Sequence, residues 1–220
     1  MKLITETFEE IHFLSEAKED GKKEYFIEGI FLQGEVKNRN GRIYPIDVLD
    51  KEVNRYTTEM VNTGRALGEL GHPAGPSINL DRVSHIITEL KKDKNNYIGK
   101  AKLTETPFGN IAKGLLESGA KFGVSSRGLG SLKEENGAMK VQSDYRIATA
   151  ADIVHDPSAP RAFVEGIMEG VDFVYDPIKD TWMEQKVEDM KKSIKKMNSR
   201  QIEEKALSLF ENYLQSLLVK

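Results

Sequence analysis

Ser125 lies in Gly123-Val-Ser-Ser-Arg-Gly-Leu-Gly130, where small residues surround one cation in a stretch that reads as a strand. Packing alone gives little reason for that choice, whereas close approach of the backbone to a bound molecule does. Two-residue alternation puts Val124 and Ser126 on one face and Ser125 and Arg127 on the other, so the valine is expected to face the core and Ser125 to point outward. Ser125 is therefore the candidate nucleophile. Ser126 and Arg127 are secondary candidates, Arg127 as a partner for an oxyanion beside nearby backbone amides. The hydrolase elbow G-x-S-x-G is not present, since Arg127 stands in place of its second glycine, and serine–glycine clusters also form ordinary bends.

A serine hydroxyl needs a base, and a histidine titrating near neutral pH is the usual one. Of the four histidines, His12 sits in a charged N-terminal segment and His85 in a strand pattern, where a packed, hydrogen-bonded ring is the expected state. His72 sits in Leu67-Gly-Glu-Leu-Gly-His-Pro-Ala-Gly-Pro76, a proline- and glycine-punctuated turn of the kind that often carries catalytic groups. Asp152, in Ala148-Thr-Ala-Ala-Asp-Ile-Val-His-Asp-Pro157, is the candidate to orient the imidazole, because an aspartate in so apolar a strand is costly unless paired. His155 is the rival third member, on the opposite face by alternation. A zinc site from Glu69-x-x-His72 and His85-x-x-x-Glu89 is a competing reading, but Pro73 disfavours the helix that a zincin motif requires.

Composition narrows the chemistry further. The chain has 220 residues and no cysteine, which removes disulfides, thiolate metal sites and a cysteine nucleophile. Its net charge of −3 is spread along the sequence, with no basic footprint for nucleic acid. No apolar run reaches the ~18 residues of a membrane span, and Met1–Glu10 mixes charged and apolar residues, so a soluble cytosolic protein without membrane contact is expected. No cofactor or metal is called for.

The elements expected to position these groups follow from pattern and punctuation. Tyr25–Glu35 reads as a strand; Pro45 opens a helix with Val48, Val53, Tyr56 and Met60 on its apolar stripe, closed by Gly64. Leu80–Leu90 and Tyr97–Leu103 read as a hairpin across the turn Lys91–Asn96. Thr106-Pro107 caps a second helix with Phe108, Ile111, Leu115 and Leu116 on one stripe. Gly123–Leu132 and Met139–Val154 read as further strands, which makes the fold class α+β. Beyond Asp176-Pro177, Val187, Met190, Ile194 and Met197, then Leu207, Phe210, Leu214 and Leu217, each recur at helical spacing. The expected division is a domain over 1–175 and a helical tail over 176–220.

Five segments together resemble the prohead core proteases of T-even-type phages: Tyr25–Phe31, Val36-Lys-Asn-Arg-Asn-Gly-Arg-Ile-Tyr-Pro45, Leu67–Pro73, Gly123–Ser131 and Asp152–Pro160. The resemblance spans about residues 25 to 165, and the combination of motifs is far more specific than any one of them. It implies His72 as base, Ser125 as nucleophile and Asp152 as the orienting acid, in a chain order unlike the three familiar serine-hydrolase orders. It also implies the fold of herpesvirus-type maturation proteases, a small, mostly antiparallel β-barrel flanked by helices, whose third member is a histidine; that keeps His155 in contention.

The implied function is a serine endopeptidase that cleaves scaffold or core proteins and the major capsid protein inside the prohead, in the host cytoplasm. Cleavage is implied after Glu in aliphatic-x-Glu segments, with self-processing. Ile167-Met-Glu169, Ile202-Glu-Glu204 and Leu209-Phe-Glu211 are such segments, so the tail is expected to be a self-processed, scaffold-anchoring arm. The alternatives are an inactive head component that kept the protease fold and a metal-dependent hydrolase.

Overall fold

The computed structural model describes residues 1–8, 11–17, 23–73, 75–155, 173–176 and 181–184. Its strands are β1 (Lys2–Phe8), β2 (Ile11–Ala17), β3 (Lys23–Gln33), β4 (Arg42–Ile43), β5 (Leu67–Glu69), β6 (Val83–Asp93), β7 (Asn96–Leu103), β8 (Gly123–Gly130), β9 (Leu132–Glu135), β10 (Ala138–Val141), β11 (Arg146–Val154), β12 (Phe173–Asp176) and β13 (Thr181–Glu184). Two α-helices, α1 (Ile46–Tyr56) and α2 (Pro107–Glu117), interrupt them. The α+β reading stands, and every named pair of strands is antiparallel except β4 with β10.

Two sheets build the site. The larger has the order β2-β3-β7-β6-β5 and the smaller β1-β8-β11. They meet where β5 runs into its following loop: Leu70 bridges Ile153 of β11, and the Gly71 N–H donates to the Ile153 carbonyl at 2.8 Å. No closed barrel forms among the described residues, which corrects that part of the expected fold. The strand ladders run as separate sheets joined by this bridge, and β2 and β5 remain edges.

The local rules hold where punctuation is strong. Thr106 caps α2 by accepting from the Gly109 N–H at 3.2 Å, with Pro107 in the first turn. α1 begins after Pro45, and its Ile46 N–H is met at 2.6 Å by the Glu35 carboxylate, an acceptor far from the helix in sequence. A turn of π-helix over Thr57–Val61 carries that helix on toward Gly64, which adopts φ +70°.

Tertiary contacts override the pattern elsewhere. On α2 the buried residues are Gly109, Ala112 and Leu116, while Ile111 and Leu115 of the expected stripe are exposed. Gly109 explains the rotation, since a Cβ there would lie 2.0 Å from the Thr104 carbonyl. The single strand expected over Met139–Val154 is two, β10 and β11, broken by a turn in which the Tyr145 N–H donates to the Gln142 carbonyl. β1 and β2 fall in a segment to which no element was assigned. β12 and β13 pair antiparallel with Asp176 opposite Thr181, so strand stands where the helical tail was expected to begin. The two apolar stripes of that tail lie outside the described residues.

Beneath the site, β5 packs so closely on β6 and β11 that a side chain on Gly68 would meet His85 Nε2 at 2.1 Å and the Ala151 carbonyl at 2.3 Å. Gly68→Ala is expected to destabilise the fold by about 1–3 kcal/mol or more through overpacking, read as a lowered urea midpoint with unchanged slope.

Candidate active site

Register brings two of the candidate residues together before any side chain is considered. β8 and β11 are antiparallel neighbours, and Asp152 lies directly across from Ser125. Directly opposed residues project to the same face with Cβ atoms about 5 Å apart, so Asp152 and Ser125 share one surface. Register shifts in β11 between Ile147 and Asp152 produce this phase. Glu52 of α1 braces the irregular stretch by accepting from the Ile147 N–H at 2.7 Å.

His72 arrives from the third side. The chain leaves β5, bridges to β11 at Leu70 and turns at Gly71, whose φ of +82° suits glycine. Arg82 holds the turn from outside by donating to the Leu70 carbonyl at 3.0 Å. The imidazole then spans both partners: Nε2 lies 2.5 Å from Ser125 Oγ, and Nδ1 lies 3.1 Å from Asp152 Oδ2. The Nδ1 contact is within hydrogen-bond distance but off the ideal line. His72, Ser125 and Asp152 thus form one continuous chain of contacts.

His155, the rival third member, follows the end of β11 and is exposed; Asp152 and not His155 faces His72. Ser125 itself is completely buried, which corrects the expectation that it points outward. β1 pairs along β8 and covers it: the Thr7 hydroxyl donates to Ser125 Oγ at 3.0 Å, and Ser125 Oγ lies 2.9 Å from the Glu6 carbonyl.

Arg127 also departs from expectation. It is fully buried, and each of its five N–H donors has an acceptor. Nε donates to Asp152 Oδ2 at 2.6 Å, and Nη2 to Asp152 Oδ1 and Glu69 Oε1, each at 3.2 Å. Nη1 donates to the carbonyls of Gly75 at 2.6 Å and Ser77 at 3.2 Å. No donor remains for an oxyanion. The arginine instead fixes the acid and pins the loop beyond His72. Ser126 projects to the opposite face from Ser125, buried and without a hydrogen-bond partner for its hydroxyl.

Glu69 is the member that motif reading undervalued. Fully buried, it accepts from Arg127, from the Asn79 N–H at 3.0 Å and from the Asn79 side chain at 3.3 Å. Its own N–H donates to Asp152 Oδ1 at 2.9 Å. One signal for it existed in the sequence: an acid in a Gly-Glu-Leu-Gly strand end needs a buried cation, and Arg127 was the other charge out of place.

Burial alone would raise the Asp152 carboxyl. The Arg127 charge and the contact with His72 outweigh it and bring the pKa down to about 2. His85, one strand away, is driven toward its neutral form by burial; its Nδ1 meets Ser84 Oγ at 2.9 Å and its Nε2 the Ala151 carbonyl at 3.0 Å. The residues of the alternative zinc reading are therefore engaged separately, and no cluster of three His, Cys, Asp or Glu able to hold a metal occurs among the described residues.

Residues 5–172 match the prohead core protein serine protease family. The chain belongs to that family. It is 39% identical over 142 residues to the prohead core protein protease of Enterobacteria phage T4, covering 63% of this chain and 67% of the relative. Among solved structures it resembles the bacteriophage T4 capsid assembly protease gp21, with a TM-score of 0.66 and 35% identity, over 71% of this chain and 98% of the other. This prohead protease therefore carries its His72–Ser125–Asp152 contacts on the fold of a phage capsid assembly protease.

The buried ion cluster sets a stability prediction. Asp152 has a folded pKa below its ordinary 3.8, so it contributes stability, about 2 kcal/mol, above that value and loses it as pH falls toward 2. Arg127→Leu strands two buried carboxylates and is expected to cost about 3–5 kcal/mol at neutral pH. Acid should partly rescue that variant, because carboxyls raised by burial protonate as pH falls. Urea unfolding from pH 7 to pH 4 would check both the loss and its opposite slope.

Proposed function

We propose that this protein is a serine endopeptidase of phage head maturation in which Ser125 is the nucleophile, His72 the general base and Asp152 the residue that orients His72. The observation that carries the reading is the 2.5 Å approach of His72 Nε2 to Ser125 Oγ, with the other ring nitrogen turned to a buried carboxylate. That is the geometry a base needs to take the hydroxyl proton and return it to a leaving amine.

In the forward reaction Ser125 Oγ bonds to the peptide carbonyl carbon while its proton passes to His72 Nε2. The low pKa of Asp152 keeps it ionised beside the imidazolium. Collapse expels the amine, which takes the proton from His72. Water then enters, gives a proton to the same nitrogen, and releases the acid product. Arg127 and Glu69 act at one remove by holding the Asp152 carboxylate and the His72 loop in place. Backbone amides of β8 are the remaining source of oxyanion donors. They become available once β1 no longer occupies the neighbouring position.

Family membership supports a role in head assembly, with core or scaffold proteins and the major capsid protein as substrates inside the prohead in the host cytoplasm. Cleavage after Glu in aliphatic-x-Glu segments, and self-processing at Ile167-Met-Glu169 and in residues 176–220 acting as a scaffold-anchoring arm, complete the reading.

Ser125→Ala is expected to reduce peptide cleavage by at least about a thousand-fold while leaving the thermal midpoint within a few degrees of wild type. Asp152→Asn should cost about a hundred- to ten-thousand-fold, and His155→Ala should stay within a few-fold of wild type. Rates on a glutamate-containing peptide would decide the triad. Full turnover by Ser125→Ala would overturn it.

A further inference from the structure

Helix α2 turns an apolar face outward. Gly109, Ala112 and Leu116 are buried where the helix packs on β6 and β7, while Ile111 and Leu115 stay 49% and 43% exposed. The helix also touches the single 3-10 turn Leu80–Arg82, whose Leu80 is 73% exposed. Four large apolar side chains are exposed among the described residues, and three of them lie on α2 or on that turn. Scattered surface apolar residues need no explanation, but a concentration of them marks a place of contact.

Gly114 is an independent observation on the same face. Ile111, Gly114, Leu115 and Ser118 recur at helical spacing. A side chain built on Gly114 would meet nothing within 4 Å, so no described neighbour requires a glycine that weakens the helix relative to alanine. The Ser118 hydroxyl folds back onto the Gly114 carbonyl at 2.7 Å, which keeps the face low. A ridge of Ile111 and Leu115 beside a bare glycine is a surface on which a second helix can bring its backbone close.

The chain itself supplies a segment of matching length and charge. Residues 185–220 lie outside the described residues, and their sequence carries the two apolar stripes Val187, Met190, Ile194, Met197 and Leu207, Phe210, Leu214, Leu217. The first runs over eleven residues, as α2 does, and begins three residues after β13 ends. It is basic, with Lys186, Lys191, Lys192, Lys195 and Lys196 against Glu188 and Asp189. The second is acidic, with Glu203, Glu204 and Glu211 against Lys205. The exposed ionic residues in or next to α2 and its turn are Asp81, Glu105 and Glu117 against Lys121. Lys113 is spent over the Tyr25 ring, 4.0 Å from its centroid, and Arg82 on the Leu70 carbonyl and the Phe108 ring. The basic stripe complements that acidic border, and its two methionines suit an uneven ridge because their side chains adapt in shape.

We propose that the outer face of α2 is the docking site for residues 187–197 of the same chain, which lie on it as a helix with Met190 and Ile194 over Ile111 and Leu115 and with Gly114 at the closest approach. This seat stands apart from the protease reading and does not rest on it. It fixes the root of the tail on the helix whose Phe108 underlies Arg82, the side chain that holds the turn before His72. The acidic second stripe is left for another protein.

A chain without cysteine makes disulfide trapping a clean test. Full-length Ser125→Ala protein, used to keep the chain whole, carries Gly114→Cys together with Met190→Cys, Ile194→Cys, Lys192→Cys or Leu214→Cys. Each is oxidised with copper phenanthroline and read by intact mass and non-reducing electrophoresis. A disulfide needs Cβ atoms within about 4.5 Å, so Met190→Cys or Ile194→Cys should close onto position 114 within one chain at least about ten-fold faster than the other two. Lys192 is off the stripe by helical spacing, and Leu214 belongs to the second stripe. Ile111→Glu, at a half-exposed position, should slow that closure about ten-fold while leaving the thermal midpoint within a few degrees of the parent. Links between two chains would assign the face to a second copy and overturn the proposal. Equal rates for all four pairs, preference for Leu214→Cys, or no closure would overturn it as well. Cleavage of a glutamate peptide by wild type reports separately on the protease reading, so either can fail alone.

Discussion

A single buried guanidinium ties this fold to its chemistry. Arg127 has no contact with water, and its neutralisation by Asp152 and Glu69 is what makes its burial affordable. Because the fork is planar and all five donors are used, it sets distance and angle together: β8 to β11 through Asp152, β5 through Glu69, and the loop past His72 through two carbonyls. A lysine could supply the charge but not that geometry. The position of the His72 ring over Ser125 thus depends on an ion cluster that never meets the peptide.

The second constraint is the phase of the two strands in the smaller sheet. A one-residue slip of β11 against β8 would carry Asp152 to the other face and leave His72 opposite an apolar side chain. The irregular register around Thr149, held by Glu52 and by the Thr149 hydroxyl on the Leu67 carbonyl, guards against that slip. α1 therefore serves the site although none of its residues touches Ser125 or His72.

Legibility differed sharply between local and long-range features. Capping at Thr106-Pro107, the helix after Pro45 and the β6–β7 hairpin are decided by neighbouring residues and were readable. The alternation that chose Ser125 over Ser126 was sound about faces but wrong about exposure, because β1 pairs on top of β8. That strand escaped notice since Lys2-Leu3-Ile4-Thr5-Glu6 is not cleanly alternating, and a buried glutamate looks like solvent-facing chain until its pocket is seen. Arg127 reads as an oxyanion group from sequence for a similar reason. Its type and face were clear, but its five acceptors come from positions up to 58 residues away.

By itself the sequence determined which residue types stand at positions 72, 125 and 152, the family to which the chain belongs and most of the local elements that carry them, because each rests on short spacings and backbone preferences. Only the tertiary structure decided that Asp152 and not His155 faces His72, that Arg127 spends its donors on Asp152, Glu69 and two loop carbonyls, and that the Glu6 carbonyl lies against Ser125 Oγ. Those outcomes depend on register between strands that lie from about 25 to nearly 120 residues apart and on charges paired out of water. Neither is encoded in any local pattern.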